Sequence, residues 1–205
     1  MITEEMLLTL REEISMRLSP RRFNHTLGVE RAAEFLSQKC LPSKMMEIRA
    51  ASLLHDITKE LSYDEHIQLI KQGRISVSDD ELDSPALLHS RTAPIVIKSD
   101  FPEFATDEIL SAVSKHTTGD SDMSIFDKIV FLADFIEESR VYPQSVSTAK
   151  FVEENMNSLD VEENLLVLDQ ACVMEIDSAI AHLQHTGKKI NSKTFEARNS
   201  LISKN

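Results

Sequence analysis

Glycine and proline, on which tight turns between β-strands depend, are scarce in this chain, with four glycines and six prolines among 205 residues. Leucine, alanine, glutamate, isoleucine, lysine and methionine are well represented instead, and most of them favour helices. The hydrophobic fraction of 41% is enough for one sizeable core. We therefore expect an all-α protein built as a single domain.

Capping signals divide the chain into helices. Ser19, Ser84 and Thr106 are typical of helix N-termini, and Ser62 with Glu65 forms a capping box. The pattern predicts helices over 3–18, 20–39, 43–59, 62–71, 85–98, 106–115, 124–139 and 161–186, with a short ninth over 192–202. The polar segments 71–84 and 139–148 are predicted loops.

The acidic composition limits the classes of partner. A formal net charge of −12 is poorly suited to the phosphate backbone of nucleic acids. The first residues lack the basic flank and apolar run of a signal peptide, and no apolar run approaches the ~18 residues that cross a bilayer. We expect a cytoplasmic protein without nucleic acid or membrane partners. Cys40 and Cys172 lack metal-binding spacing and are predicted to be buried thiols.

Imidazole and carboxylate groups recur in otherwise apolar helical segments. His25 lies in "RRFNHTLGVERAA", His55 and Asp56 lie in "AASLLHDITKE", and Asp134 lies in "IVFLADFIEESR". Buried charges need partners, and one shared metal ion would satisfy all four groups. Two imidazoles and two carboxylates suit Fe, Mn, Co, Ni or Zn better than Ca. Four ligands leave positions open for water and a substrate oxygen, as catalytic metal sites require.

The order His25, His55-Asp56, Asp134 resembles the signature of the HD superfamily of metal-dependent phosphohydrolases. The segments "RFNHTLGVERAA", "AASLLHDITKE", "LLHSRTAP", "KHTTGD" and "DKIVFLADFIEESR", within residues 21–140, together resemble the YqeK family of symmetrical diadenosine tetraphosphate hydrolases. This resemblance implies an HD-domain helical bundle over residues 1–205, with the metal and phosphate site within 21–140. Residues 141–205 resemble the family only loosely, and they are expected to pack a long helix on the bundle and complete the nucleotide pocket.

The resemblance also implies an activity. A metal-activated water would attack a bridge phosphorus of diadenosine tetraphosphate, or of a related dinucleoside polyphosphate, and release two ADP, or GDP from a guanosine substrate. The metal is expected to be iron, with manganese, cobalt or nickel as alternatives. His89 and His116 either ligate a second ion or, as the resemblance favours, donate hydrogen bonds to phosphate together with Thr117.

Three cations accompany these segments: Arg22, Lys59 and Arg140. Each could form an ordinary surface ion pair, but the resemblance implies phosphate contacts. His182 is predicted to line a nucleoside pocket, and His66 is assigned to the surface. The predicted catalytic residues are Asp56, Lys59, His89 and His116. The predicted substrate contacts are Arg22, His55, Asp56, Lys59, His89, His116, Thr117, Asp134, Arg140 and His182.

Other activities remain open from sequence alone. A 5′-nucleotidase, a dNTPase, a guanosine tetraphosphate hydrolase or a cyclic dinucleotide phosphodiesterase would use a similar metal site. Lys59 in "HDITKE", where guanosine tetraphosphate hydrolases usually carry an acidic pair, and the lack of a GYP triplet disfavour the last two. A non-catalytic module that binds nucleotides is the alternative from another class. The apolar residues of the first helix serve either the core or a homodimer interface.

Overall fold

The computed structural model describes residues 1–203, which form eleven α-helices and three short 3₁₀ helices without any β-strand. The α-helices are α1 (Glu4–Arg17), α2 (Pro20–Cys40), α3 (Met45–Leu54), α4 (Tyr63–Gly73), α5 (Asp79–Leu82), α6 (Leu88–Asp100), α7 (Asp107–Lys115), α8 (Ile125–Ile136), α9 (Pro143–Asn155), α10 (Val161–His185) and α11 (Ser192–Ser203). The 3₁₀ helices are Pro42–Lys44, Pro85–Leu87 and Pro102–Phe104. The all-α prediction is confirmed.

Most of the predicted caps form. The side chains of Ser19 and Thr106 accept hydrogen bonds from backbone N–H groups in the first turns of α2 and α7. Ser62 and Glu65 form the reciprocal capping box at the start of α4. Ser84 precedes only the 3₁₀ helix Pro85–Leu87 and makes no capping hydrogen bond with its side chain.

Two element predictions are wrong. The helix predicted over 43–59 ends as an α-helix at Leu54, and turns with i to i+3 hydrogen bonds follow, including Lys59 N to Asp56 O at 2.9 Å. The predicted loop 139–148 contains the start of α9, which runs to Asn155 and buries Val152. The other predicted loop, 71–84, begins with the last residues of α4, and beyond Gly73 only the single turn of α5 is helical.

Helix α2 lies at the centre of the fold and packs against both α3 and α8. Helix α8 in turn contacts α7, α9 and α10, and its sequence is apolar except for a few residues. On α1, Leu7, Leu10 and Ile14 are buried, so this apolar face belongs to the core rather than to an exposed dimer interface. The arrangement brings one face of α2 alongside the end of α3 and the last turns of α8.

Both cysteines are buried free thiols, as predicted. Burial raises the pKa of Cys40 to about 12 and raises the pKa of Cys172 well above its usual value. Both thiols therefore stay protonated and pack as small hydrophobic groups. Across residues 1–203, no helix combines the length and the apolar character that crossing a bilayer requires.

Candidate metal and phosphate site

His25, His55, Asp56 and Asp134 converge where α2, the end of α3 and α8 meet. His25 Nε2 lies 3.1 Å from Asp134 Oδ1 and 3.8 Å from Asp56 Oδ2. His55 Nε2 lies 3.4 Å from Asp56 Oδ2 and 4.0 Å from Asp134 Oδ1. His55 and Asp56 follow the last helical residue of α3 rather than lying mid-helix, and the turn there aims both side chains toward α2 and α8. The structure thus brings the four predicted ligands together.

Several polar atoms at this junction are buried without a hydrogen bond in the described part of the chain. They include His25 Nε2, His55 Nε2 and Asp56 Oδ1. The 3.1 Å contact of His25 with Asp134 is close but lacks hydrogen-bond geometry. Unpaired buried atoms of this kind are costly, and a cation would satisfy all of them. The residues present therefore fit a transition-metal ion with imidazole and carboxylate ligands.

Three histidines are oriented in the same way. Nδ1 of His55, His89 and His116 lies 2.6, 2.8 and 2.7 Å, respectively, from the carbonyl oxygen three residues earlier. A carbonyl oxygen only accepts hydrogen bonds, so each Nδ1 carries a proton and donates. In the uncharged form of such a ring, Nε2 is the unprotonated nitrogen, and in all three histidines it is directed into the cluster. Metal-ligating histidines are commonly fixed by such a second hydrogen bond.

His89 and His116 meet on the Asp56 Oδ1 side of the cluster. Their Nε2 atoms are 2.9 Å apart, and Thr117 Oγ1 lies 3.1 Å from each of them. Asp56 Oδ1 is 3.2 Å from His89 Nε2 and 3.6 Å from His116 Nε2. Two facing nitrogen lone pairs require a proton or a cation between them. The candidate ligand atoms form two overlapping trios, one of His25, His55 and Asp134 and one of His55, Asp56 and His116.

Three basic side chains border the cluster. Arg22 Nη1 lies 2.7 Å from Asp56 Oδ2, Lys59 Nζ lies 3.9 Å from Asp56 Oδ1, and the Arg140 guanidinium contacts the Asp134 carboxylate. Each of these basic side chains is about 30% exposed, at 29%, 30% and 29%, and is accessible to a ligand. In a chain with a net charge of −12, three convergent cations are a local concentration of positive charge that would suit an anion.

Residues 22–138, more than half of the chain, match the HD domain family. The chain belongs to this family. A symmetrical bis(5'-nucleosyl)-tetraphosphatase from Bacillus subtilis (strain 168) is 26% identical over 192 residues, covering 93% of this chain and 94% of that protein. A protein of the same name from Halalkalibacterium halodurans is 30% identical over 130 residues, covering 63% of this chain and 68% of that protein.

A solved structure agrees with the HD domain fold. The crystal structure described as that of a predicted HD superfamily hydrolase involved in NAD metabolism, from Clostridium acetobutylicum, matches this chain with a TM-score of 0.84 at 26% identity. The match covers 100% of both chains. The fold predicted from the sequence, a helical bundle of HD type, is confirmed.

The electrostatics of the HD site keep its carboxylates ionised. Burial alone would raise the pKa of Asp56, but the histidines around it, His55 and His116, and then Lys59 hold that pKa well below its usual range. Burial likewise opposes ionisation of Asp134, yet His25, His55 and Arg140 keep its pKa well below its usual value. Both groups are therefore anionic at neutral pH, which a metal ligand requires.

Two basic side chains of the site, His89 and Lys59, also have lowered pKa values, which for a base favours the neutral form. Burial, followed by the nearby Lys59 charge and His116, lowers the pKa of His89 well below its usual value. Burial also lowers the pKa of Lys59, with Asp56 and Asp134 working against the shift. His89 is thus a neutral ring at physiological pH, and its Nε2 accepts hydrogen bonds from its neighbours.

The HD-site residue that sequence reasoning missed is Glu137, which is not among the predicted site residues. Glu137 is 2% exposed, and its Oε1 lies 3.0 Å from His25 Nδ1. Ser139 anchors the same carboxylate through its N–H at 2.7 Å and its hydroxyl at 2.6 Å. The sequence does contain one signal for Glu137, its position about one helical turn after Asp134. The chain leaves α8 at Glu137, however, so helix periodicity does not predict where this side chain lies.

The sequence also led to predictions for His66 and His182, and the structure places the two side chains in different surroundings. The prediction that His66 lies at the surface is wrong: it is 4% exposed, and its Nδ1 lies 2.9 Å from Thr92 Oγ1. His66 and Ile70, four residues apart, form the buried face of α4 against α6. His182 is exposed on α10 and lines a cavity of about 530 Å³ that also contains Asp134 and Arg140.

Proposed function

We propose that this chain is a metal-dependent hydrolase that splits diadenosine tetraphosphate, and related dinucleoside polyphosphates, symmetrically into two nucleoside diphosphates. The observation that carries the proposal is the position of three cations, Arg22, Lys59 and Arg140, against the carboxylates of a cluster suited to a metal ion. A polyphosphate is the ligand class that such a combination favours. The names of the relatives, symmetrical bis(5'-nucleosyl)-tetraphosphatases, give the same substrate.

His25, His55, Asp56 and Asp134 would hold the ion. When bound, a divalent transition metal, for which we propose iron, supplies Lewis acidity toward water and a phosphate oxygen. Glu137 and the backbone carbonyl of Ser52 keep the His25 and His55 rings turned toward it. The carboxylate of Asp56, anionic and buried, also accepts hydrogen bonds and can orient the attacking water.

The cations would act on the substrate. On arrival of a polyphosphate, Arg22 and Arg140 can exchange part of their contact with Asp56 and Asp134 for phosphate oxygens. Lys59 lies on the other side of Asp56, so the positive charge is spread around the site. Neutralising the non-bridging and leaving oxygens is the main electrostatic contribution to phosphoryl transfer.

We assign His89 and His116 to phosphate oxygens rather than to a second ion, with Nε2 of each ring protonated when the phosphate is bound, because an unprotonated nitrogen cannot donate to an oxygen. Lys59 Nζ lies 3.1 Å from His89 Nε2, and a fixed cation there disfavours a divalent ion at the same nitrogen. Thr117 adds a hydroxyl within 3.1 Å of both rings. His182 would contact the nucleoside in the cavity beside Arg140. A cytoplasmic location and a homodimer remain predictions.

Product analysis tests this function. The manganese- or iron-loaded protein is incubated with diadenosine tetraphosphate, and the products are separated by anion-exchange chromatography. ADP as the only product is expected. ATP with AMP would keep a phosphohydrolase but contradict symmetrical cleavage, and no turnover would favour another nucleotide substrate or a binding module. Asp56→Asn in the cluster should be inactive, whereas the exposed Asp64→Asn should match the wild type.

A further inference from the structure

Glu175 on α10 is a buried acid that the proposed mechanism does not use. The residue is 8% exposed, and its Oε2 atom is buried without a hydrogen bond in the described part of the chain. Burial and the nearby Asp134 charge raise the pKa of Glu175 well above its usual value, and Arg140 only partly opposes this. An unpaired acid in such a place is costly to the folded protein. A ligand that supplies hydrogen bonds would satisfy it.

The location of Glu175 indicates a contact with the nucleotide substrate. Two cavities, of about 450 and 530 Å³, lie against α10, and Glu175 and Ala179 line both of them. The larger cavity contains Asp134 and Arg140, and the smaller one contains Thr117. Each cavity therefore reaches the metal and phosphate site, and both volumes fall in the ~300–1,000 Å³ range of small-molecule sites.

The chemistry of the carboxyl group narrows the contact to one part of the nucleotide. The carboxyl group repels phosphates when it is ionised and offers them no positive charge when it is protonated, so the phosphates belong beside Arg140 and the metal ligands. The ribose is the first uncharged group after the phosphates, and its 2′- and 3′-hydroxyls are hydrogen-bond donors. Carboxylates are established partners of ribose hydroxyls in other nucleotide-binding folds. The base would then extend toward His182 and Tyr142, farther along the larger cavity.

We propose that Glu175 is a specificity-determining residue that hydrogen-bonds the ribose hydroxyls of the bound nucleotide and so selects ribonucleotides over deoxyribonucleotides. This inference rests on the proposed function for the position of the phosphates. A site built to bind a hydroxyl rejects an analogue without it, because a buried polar group is then left without its partner. Discrimination therefore depends on the acceptor oxygen at position 175 and not on the net charge there.

Binding of ADP and 2′-deoxy-ADP to the manganese-loaded protein, measured by isothermal titration calorimetry, tests the proposal. The wild type is expected to bind ADP at least about tenfold more tightly than 2′-deoxy-ADP. Glu175→Gln keeps an acceptor oxygen and should keep most of this ratio, whereas Glu175→Leu should reduce it to within about twofold of unity. The exposed Glu163→Gln on the same helix is the matched control and should leave the ratio unchanged.

Two results would overturn the proposal: a wild-type protein that binds both nucleotides equally, or a Glu175→Leu protein that keeps the full ratio. Folding of each variant is checked by thermal unfolding, and Glu175→Gln keeps the test valid if Glu175→Leu does not fold. The experiments distinguish a failure of this proposal from a failure of the proposed function. Ribose discrimination without hydrolysis of diadenosine tetraphosphate would overturn that function alone, and symmetrical hydrolysis without discrimination would overturn the role of Glu175 alone.

Discussion

Glu137 Oε1 lies 3.0 Å from His25 Nδ1, so a carboxylate just beyond α8 holds the ring of a histidine on α2. Burial disfavours ionisation of Glu137, but His25 and Ser139 lower its pKa below the usual value, so it stays anionic. The same contact, with that of Asp134, raises the pKa of His25 although burial opposes it. Glu137 therefore fixes the direction of His25 Nε2, which faces the candidate metal position.

The first prediction concerns the hydrogen bond by which Glu137 orients the His25 ring. Glu137→Ala should weaken metal binding by about 10- to 100-fold, because the His25 ring loses the partner that orients it. Glu137→Gln keeps one acceptor oxygen and should show a smaller loss. Competition with a chelator of known affinity measures the metal dissociation constant. The neighbouring Glu138→Ala, at an exposed position, is the control, and equal affinities of Glu137→Ala and Glu138→Ala would contradict the role.

The second prediction follows from Gly28 on α2, which faces the Glu137 carboxylate just beyond α8. A Cβ atom at position 28 would lie 2.5 Å from Glu137 Oε2 and 3.3 Å from its carboxyl carbon. Gly28→Ala should therefore displace the carboxylate and weaken metal binding, and the loss of its buried hydrogen bonds to His25 and Ser139 should outweigh the gain of up to about 1 kcal/mol from the better helix propensity of alanine, so the metal-free protein should also lose stability. Chelator competition and urea unfolding of the metal-free protein measure the two effects. Unchanged metal affinity in a folded Gly28→Ala protein would refute the prediction.

Local sequence signals were sufficient for most of the helices and for the four candidate metal ligands that the structure brings together. Caps at Ser19, Ser62 and Thr106 mark real helix starts, because a capping side chain satisfies backbone groups within one turn. His25 and Asp134 stood out because imidazole and carboxylate groups are rare among apolar helical residues. Their convergence could be anticipated because a shared ion explains all four ligands at once.

Features that depend on tertiary packing could not be predicted from short stretches of the sequence. Helix α9 begins in a polar segment without a strong N-cap side chain, and it is stabilised by packing against α8 and α10. His66 is buried because α4 turns it toward Thr92 on α6, a distant part of the chain. Glu137 and Glu175 look like ordinary acids in the sequence, and only the fold shows that one supports His25 and the other lines two cavities.

The third prediction concerns Lys59. Its Nζ lies 3.1 Å from His89 Nε2 and 3.9 Å from Asp56 Oδ1, and its side chain is 30% exposed. Lys59→Ala should raise the KM for diadenosine tetraphosphate by about tenfold, because a charged hydrogen bond to phosphate is lost. Steady-state kinetics of the manganese-loaded protein measure KM and kcat separately. The exposed Lys71→Ala is the control, and a fall in kcat with an unchanged KM would contradict a binding role.

The fourth prediction concerns Asp56 and needs no substrate. A ligand that binds only the folded state stabilises it, so manganese should raise the thermal unfolding midpoint of the wild type. Asp56→Asn removes a charged ligand and should abolish most of this rise, whereas the exposed Asp64→Asn should retain it. Differential scanning fluorimetry with and without the metal measures the shift. A full manganese-dependent rise in Asp56→Asn would remove this residue from the ligand set.

The last prediction concerns the pH dependence of stability that Glu175 imposes. The pKa of Glu175 in the folded protein is raised well above its ordinary value of 4.5, mainly by burial. Above about pH 4.5 the unfolded chain releases this proton while the folded protein retains it, so the folded state binds more protons and loses relative stability as the pH rises. Glu175→Gln resembles the protonated acid at every pH. Its free energy of unfolding should therefore be close to that of the wild type near pH 4.5 and exceed it increasingly toward neutral pH, until the pH passes the folded pKa.

Urea unfolding of the metal-free proteins at several pH values measures this difference, with Glu163→Gln as the exposed control. A difference that does not change with pH would contradict the raised pKa, since only a proton retained on folding can make the comparison depend on pH.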